Sequence, residues 1–346
     1  MKKAFGSIIV IIVVLTILFE GNAQQSNSKK LSLEDLYKNY LFSPKGINTL
    51  KWMKDSKGYS ALEANEPLGG MDIVTYDAKT GKREVLVSAQ SLIPEGQSSP
   101  WFVRNYAWSA DNTKMLIFTN TRKVWRYHTR GDYWVLDLKN GNLTQIGQNM
   151  EAAAFMFAKF SPDAKKVGFV YRNNIYTQSL ETGELEQLTN DGSESIINGT
   201  FDWVYEEELN CRDGFRWSPD SKKISFWQMD SDGTGTFYLI NYIDSIYPKV
   251  QALPYPKVGT SNSSAKIGVI SRENKAITWM DVPGDPRNHY LARMEWANSS
   301  DELIIQQLNR EQNTNRVFQA NAATGETKVV YTEKVDTWLD VYDELY

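Results

Sequence analysis

The sequence predicts an all-β protein, a β-propeller incomplete at about four to five blades, and three observations predict it. A turn motif recurs at intervals of roughly 50 to 60 residues, an apolar run follows each copy, and aromatic residues, which favour strands, make up 12% of the chain.

The motif is an aromatic residue that opens a polar turn. Its clearest copies are Trp108-Ser109-Ala110-Asp111, Phe160-Ser161-Pro162-Asp163 and Trp217-Ser218-Pro219-Asp220. Trp296-Ala297-Asn298-Ser299 is a degenerate copy, and Trp52-Met53-Lys54-Asp55 is an earlier candidate. The runs that follow, at 114–118, 166–170, 223–227 and 303–305, are rich in β-branched and aromatic residues and read as strands. Further strands at 72–76 and 174–177 lead to hairpin turns at Thr80-Gly81, Asn140-Gly141, Thr182-Gly183 and Thr324-Gly325, where glycine supplies a positive φ. Four strands per unit make a propeller blade, which cannot bury its two faces alone. The alternative is a β-sandwich of unrelated hairpins, and four or five copies of one turn grammar outweigh it. The last strand is expected around 337–340. Between Trp217 and Trp296 the spacing lengthens, and Tyr247-Pro248-Lys249 and Pro254-Tyr255-Pro256-Lys257 read as a crossing or edge segment within a blade.

Lys2 and Lys3 precede an apolar run from Ile8 to Phe19, and Gly21-Asn22-Ala23 offers small residues for cleavage. That order predicts a signal peptide at 1–23 and an exported product, periplasmic or extracellular; the run is short of the roughly 20 residues that span a bilayer. A lead-in at 24–50 and a partial propeller at 51–346 complete the expected organisation. The net charge of −4 argues against nucleic acid as a partner. Cys211 is the single cysteine, and with only His128 and His289 there is no zinc-ligand cluster, so neither metal nor cofactor is expected. The sequence holds no Gly-x-Ser-x-Gly elbow, no Walker loop and no dinucleotide fingerprint.

One constellation stands apart: Asp202-Trp203-Val204-Tyr205-Glu206-Glu207-Glu208, in a break between blades. Asp202 can cap a short helix whose first turn tolerates the glutamates, which is a solvated surface reading. The other reading aims the carboxylates into a cavity, where their mutual repulsion is relieved by a bound ammonium. Arg126, in the predicted strand Lys123-Val124-Trp125-Arg126-Tyr127, is the second candidate, with stacking on a tryptophan as its structural alternative.

The heptapeptide at 202–208 and its continuation Arg212-Asp213-Gly214-Phe215-Arg216-Trp217-Ser218-Pro219-Asp220 resemble the dipeptidyl peptidase IV family of serine peptidases. Leu31-Ser32-Leu33-Glu34-Asp35-Leu36-Tyr37, Trp125-Arg126-Tyr127 and the Tyr-Pro-Lys to Pro-Tyr-Pro-Lys stretch at 247–257 share the resemblance, in the same order. It implies an eight-bladed propeller followed by an α/β-hydrolase domain that releases dipeptides from peptide N-termini. It further implies that Glu207 and Glu208 clamp the protonated N-terminus, that Arg126 contacts the carbonyl of the second residue, and that Asp202, Trp203, Tyr205 and Glu206 support the helix. The family often dimerises, so a homodimer is implied as well. The catalytic Ser, Asp and His belong to the hydrolase domain, and nothing here corresponds to it. Three readings follow: the N-terminal part of an exported dipeptidyl peptidase, inactive by itself; a stand-alone propeller that binds peptide N-termini or a protein partner; or a decayed relative kept for assembly.

Overall fold

The computed structural model describes residues 31–343 apart from 45, 47, 54, 55 and 95. The expected signal peptide lies outside those residues, as do Lys54 and Asp55 of the earliest motif copy. Among the described residues no helix is long and apolar enough to cross a membrane. The chain divides into two units, Met1–Asn48 and Thr49–Tyr346. In the first, Leu33–Tyr37 forms a short helix (α1) capped by Ser32, whose Oγ accepts from the Asp35 amide at 3.0 Å.

The second unit is the expected propeller, with five antiparallel blades among the described residues. Blade 1 comprises β1 (Asn48–Trp52), β2 (Gly58–Asn65), β3 (Gly70–Asp77) and β4 (Arg83–Val87). Blade 2 comprises β5 (Asn105–Trp108), β6 (Lys114–Val124), β7 (Tyr127–Asp137) and β8 (Leu143–Gln145). Blade 3 comprises β9 (Phe155–Phe160), β10 (Lys166–Tyr171), β11 (Asn174–Ser179) and β12 (Leu185–Gln187), and a short pairing of β9 with β7 joins it to blade 2 in one eight-stranded sheet. Blade 4 is built on β14 (Phe215–Trp217), β15 (Lys223–Asp230), β18 (Ser264–Ser271) and β19 (Ile277–Trp279), with β13 (Ile196–Asn198) added beside β15. Blade 5 comprises β20 (His289–Trp296), β21 (Glu302–Asn309), β22 (Thr314–Asn321) and β23 (Thr327–Lys334).

The period of two in a strand decides how blades stack. In β6, Met115 and Ile117 enter the core shared with blade 1, whereas Leu116 and Phe118 enter the core shared with blade 3. In β15, Ile224 and Phe226 face blade 3, and Trp227 and Met229 face blade 5. Burying one such side chain is worth about 1.5–3 kcal/mol. The whole range of strand propensity spans about 1 kcal/mol. Inter-blade packing therefore sets the register.

The recurring turn is a hydrogen-bonded staple. Ser109, Ser161 and Ser218 are buried; each donates from Oγ to the aspartate two residues on, at 2.6, 2.5 and 2.6 Å. Each Oγ also accepts the amide of the lysine that starts the next strand, at 2.9, 3.0 and 2.9 Å. Asp111 accepts from Ser109 and Thr113 as well, which holds its carboxyl down at about 2. The hairpin-closing glycines 81, 141, 183 and 325 adopt φ between 70° and 81°, as the turns require.

Two expectations are corrected. The Pro-Tyr stretch is no edge of a blade: β17 (Lys249–Pro254) pairs only with β16 (Thr236–Asn241), forming a separate two-stranded arm between β15 and β18. Within the arm each strand has the other as its only ladder partner. Residues 337–340 are not a strand; the last one described is β23. The chain instead folds back over blade 5, where the Leu339 amide donates to Gln312 O at 2.7 Å, and Gln306 bonds both the amide and the carbonyl of Tyr342.

Candidate functional site

The constellation at 202–208 is carried by an insertion between β13 and β14, and a pair of glycines forms its neck. Gly199 has φ 76°, and a Cβ on Gly214 would lie 2.7 Å from the Gly199 backbone. The Gly214 amide donates to Gly199 O at 3.0 Å, Gly199 N to Trp227 O at 2.9 Å, and Trp227 N to Gly214 O at 3.0 Å. The insertion therefore leaves and rejoins blade 4 at one point.

Within it, Trp203–Glu208 forms a six-residue helix, α2. Asp202 caps it, its Oδ1 accepting the Tyr205 amide at 3.0 Å, and burial pushes its carboxyl above the usual range. So short a helix is marginal on its own and needs tertiary anchors. Tyr205 supplies one: it is 2% exposed, its ring stacks on Phe201 at 5.5 Å between centroids, Phe201 in turn lies 5.1 Å from the Trp227 ring, and the Tyr205 hydroxyl accepts the Leu291 amide of β20 at 2.9 Å. Trp203 supplies the other, meeting Tyr255 just past the arm at 4.5 Å between ring centroids. These three contacts hold the helix in place.

The three glutamates have different surroundings. Glu206 is buried, with Oε1 3.4 Å from Arg212 Nε; neither atom has a hydrogen-bond partner, so the contact is purely electrostatic. Burial raises the Glu206 carboxyl and Arg212 opposes that rise. Glu207 lies 3.4 Å from Arg126 Nη1. Glu208 is exposed and has no ion pair among the described residues. The structure thus brings Arg126 and Glu207 together across 81 positions of sequence and leaves Glu208 open at the end of the helix.

Arg126 reaches α2 by a route the sequence did not reveal. Trp125 and Arg126 are not strand residues but the two-residue tip of the β6–β7 hairpin. Register shifts between Thr119 and Lys123 bend the hairpin, and such bulges re-aim what lies beyond them. Trp125 sits at φ 51°, a left-handed conformation that costs a bulky residue about 1–3 kcal/mol. No tryptophan carries Arg126, contrary to the stacking alternative. The stacked cation here is Arg212, 3.9 Å over the Tyr127 ring, and it also donates to Asn210 Oδ1 at 2.5 Å. Arg212 and Tyr127 were not singled out as site residues; the sequence signals were Arg212's place in the same motif, six residues after Glu206, and Tyr127's place in Trp125-Arg126-Tyr127.

Other charged residues of the motif are structural. Lys159 bonds Asp213 and Phe215 O, and Arg216 Nε donates to Glu295 Oε1 at 2.7 Å, linking the inner strands of blades 3, 4 and 5. Cys211 is buried, and burial pushes its thiol up to about 11, which leaves it inert. His289 is buried with Nδ1 2.9 Å from Gln307 Nε2, and His128 Nδ1 lies 2.8 Å from Thr121 Oγ1; both serve their strands. A cavity of about 960 Å³ is lined by Pro94, Trp101, Phe102, Asp132 and Trp134 among others and by none of the three glutamates. Of the three carboxylates Glu208 is exposed, Glu207 half-buried and Glu206 buried, so Glu208 is the one open to a cation presented from solvent.

A profile described as the dipeptidyl peptidase IV N-terminal region matches residues 109–346. The chain is 30% identical to dipeptidyl aminopeptidase B of Saccharomyces cerevisiae over 300 residues, which are 82% of this chain and 35% of that protein. It is 26% identical to the inactive dipeptidyl peptidase 10 of Mus musculus over 282 residues, 79% of this chain and 35% of that one. The crystal structure of dipeptidyl peptidase 4 from Porphyromonas gingivalis shares the fold, with a TM-score of 0.80 at 24% identity over 90% of this chain and 43% of that chain. The chain spans little more than a third of the length of these curated relatives.

Proposed function

The chain belongs to the dipeptidyl peptidase IV family, and from that premise we propose that it is the substrate-gating propeller of an exported serine-type dipeptidyl peptidase. In this reading Glu207 and Glu208 take the protonated N-terminus of a peptide and Arg126 takes a backbone carbonyl. The observation that carries it is the convergence of Arg126 and Glu207 from blades 2 and 4 beside an open Glu208. Charge-assisted pairing to an ammonium and to a carbonyl fixes the distance from the chain end, and so measures out a dipeptide. The nucleophile, its base and the oxyanion hole come from a hydrolase domain downstream of residue 346. Exposed apolar side chains on the outermost blades, Trp52 and Leu86 on blade 1 and Val330 and Tyr331 on blade 5, agree with further blades packing there.

The test is turnover of a Gly-Pro chromogenic amide. The exported product, starting at Gln24 by N-terminal sequencing, is expected to be silent, and a chain continued through the downstream reading frame is expected to cleave. Turnover by the short chain would sink this assignment. A second reading, capture of peptide N-termini without cleavage, is favoured by the similarity to a relative that is itself inactive; a stop codon directly after Tyr346, with binding retained, would select it.

A homodimer is part of the same proposal. The arm exposes Tyr238, Ile240, Tyr242, Ile243 and Val250, an apolar surface suited to a second copy. Light scattering is expected to give twice the chain mass, falling to one chain mass in Ile240→Asp; a monomeric wild type would remove the dimer from the proposal.

A further inference from the structure

We propose that Arg126 is the resident counter-cation of Glu207 in the empty site, and that an arriving ammonium takes its place while the peptide's carbonyl becomes the guanidinium's new partner. The inference rests on the reading of the site as an amine clamp and adds the exchange that makes the clamp selective.

The charge count comes first. Glu206, Glu207 and Glu208 bring three negative charges, and Arg126 and Arg212 bring two positive ones, so the cluster is one cation short. The two ion pairs differ in how firmly they are made. Arg212 is enclosed: it lies over Tyr127, bonds Asn210 and faces a buried Glu206. Arg126 has a side chain 74% exposed and a single contact to Glu207, at 3.4 Å, beyond the usual hydrogen-bond distance. One guanidinium is fixed and the other is exchangeable.

The tip is held by the pairing of Val124 with Tyr127 and by Arg212 over the Tyr127 ring, but the Arg126 side chain itself has only Glu207 as an ion-pair partner among the described residues. Its turn keeps Trp125 in a left-handed conformation, and the hairpin is bulged below it. Strain of this kind persists at positions that a functional contact holds. When an ammonium claims Glu207, Arg126 loses its only described acceptor. A bare amine offers nothing in return, and binding it leaves the guanidinium to water. A peptide carries a carbonyl a few atoms from its ammonium, and so restores what it displaces. The site therefore rejects simple amines, lysine side chains and inorganic cations through the broken pair, while peptide N-termini recover the loss; discrimination comes from the repulsive element as much as from the attractive one.

Isothermal titration at low salt separates the possibilities, with 2-methylpropylamine as an ammonium without a carbonyl and Val-Pro amide as one with it. Arg126→Gln is expected to weaken Val-Pro amide about tenfold or more, through the lost charge-assisted bond. The same change is expected to tighten 2-methylpropylamine about two- to fivefold, because the competing exposed ion pair is gone. Arg126→Lys, which keeps a cation without the planar fork, should leave the simple amine near its wild-type affinity and still weaken the peptide. The opposite signs for the two ligands are the signature. If Arg126→Gln weakens both ligands in parallel, or leaves the simple amine unchanged, the exchange is wrong while the clamp stands. If the wild type binds neither ligand, the clamp reading falls and the exchange falls with it. Arg126 lies exposed at a turn, so these variants retain their fold, which circular dichroism checks.

Discussion

Replacing Glu207 and Glu208 together by glutamine is expected to lower affinity for Val-Pro amide by at least about a hundredfold. Each charge-assisted bond is worth about 1.5–3 kcal/mol, and the isosteric amides remove two carboxylate charges at once. The wild type should itself lose affinity as the pH rises past about 8, where the ligand's own amine gives up its proton. N-acetylated Val-Pro amide carries no ammonium, and its weak binding should be the same in both proteins. Stability should move by less than about 0.5 kcal/mol, because Glu208 is exposed and Glu207 joins no hydrogen-bond network among the described residues. A loss of less than threefold would take these two residues out of the site.

The second large effect is expected at Tyr205, whose ring and hydroxyl anchor α2 to blade 5. Tyr205→Ala should cost about 3–5 kcal/mol in equilibrium urea unfolding, the range for deleting a buried aromatic. Tyr205→Phe should cost about 1–3 kcal/mol, because the Leu291 amide is left buried without its acceptor. The comparison separates cavity from hydrogen bond. A phenylalanine variant as stable as the wild type would show that the Leu291 amide finds another partner, and that the phenol is not what ties the helix down.

Legibility in the sequence followed the range of the interactions. The Ser-x-Asp staple operates over two to five residues, so its chemistry was present in the string itself and located the strands of blades 2, 3 and 4. Asp202 as cap was legible for the same reason. The Arg126–Glu207 pair was not, because it forms between blades 2 and 4, with blade 3 between them in sequence order; only resemblance put the two residues in one site. Trp125-Arg126 was read as strand because its neighbours are strong strand formers and its turn lacks the glycine or asparagine that normally announces one. The fold resolved that conflict by forcing Trp125 to a positive φ. The arm was misread because a proline in a strand suggests an edge, and β17 is the edge of a two-stranded sheet of its own, with no blade behind it.

The alternation along β6 and β15 also fixes where such a chain can change length. One residue added inside β6 would turn Met115 and Ile117 toward blade 3 and Leu116 and Phe118 toward blade 1, spoiling two interfaces at a stroke. A residue added past a strand end spoils neither. Gains and losses of sequence are therefore admitted only at the joints, and the additions to the blades lie there: α2 between β13 and β14, the arm between β15 and β18, and the two-residue tip between β6 and β7. Insertion scanning should find the blades intolerant and these three places permissive.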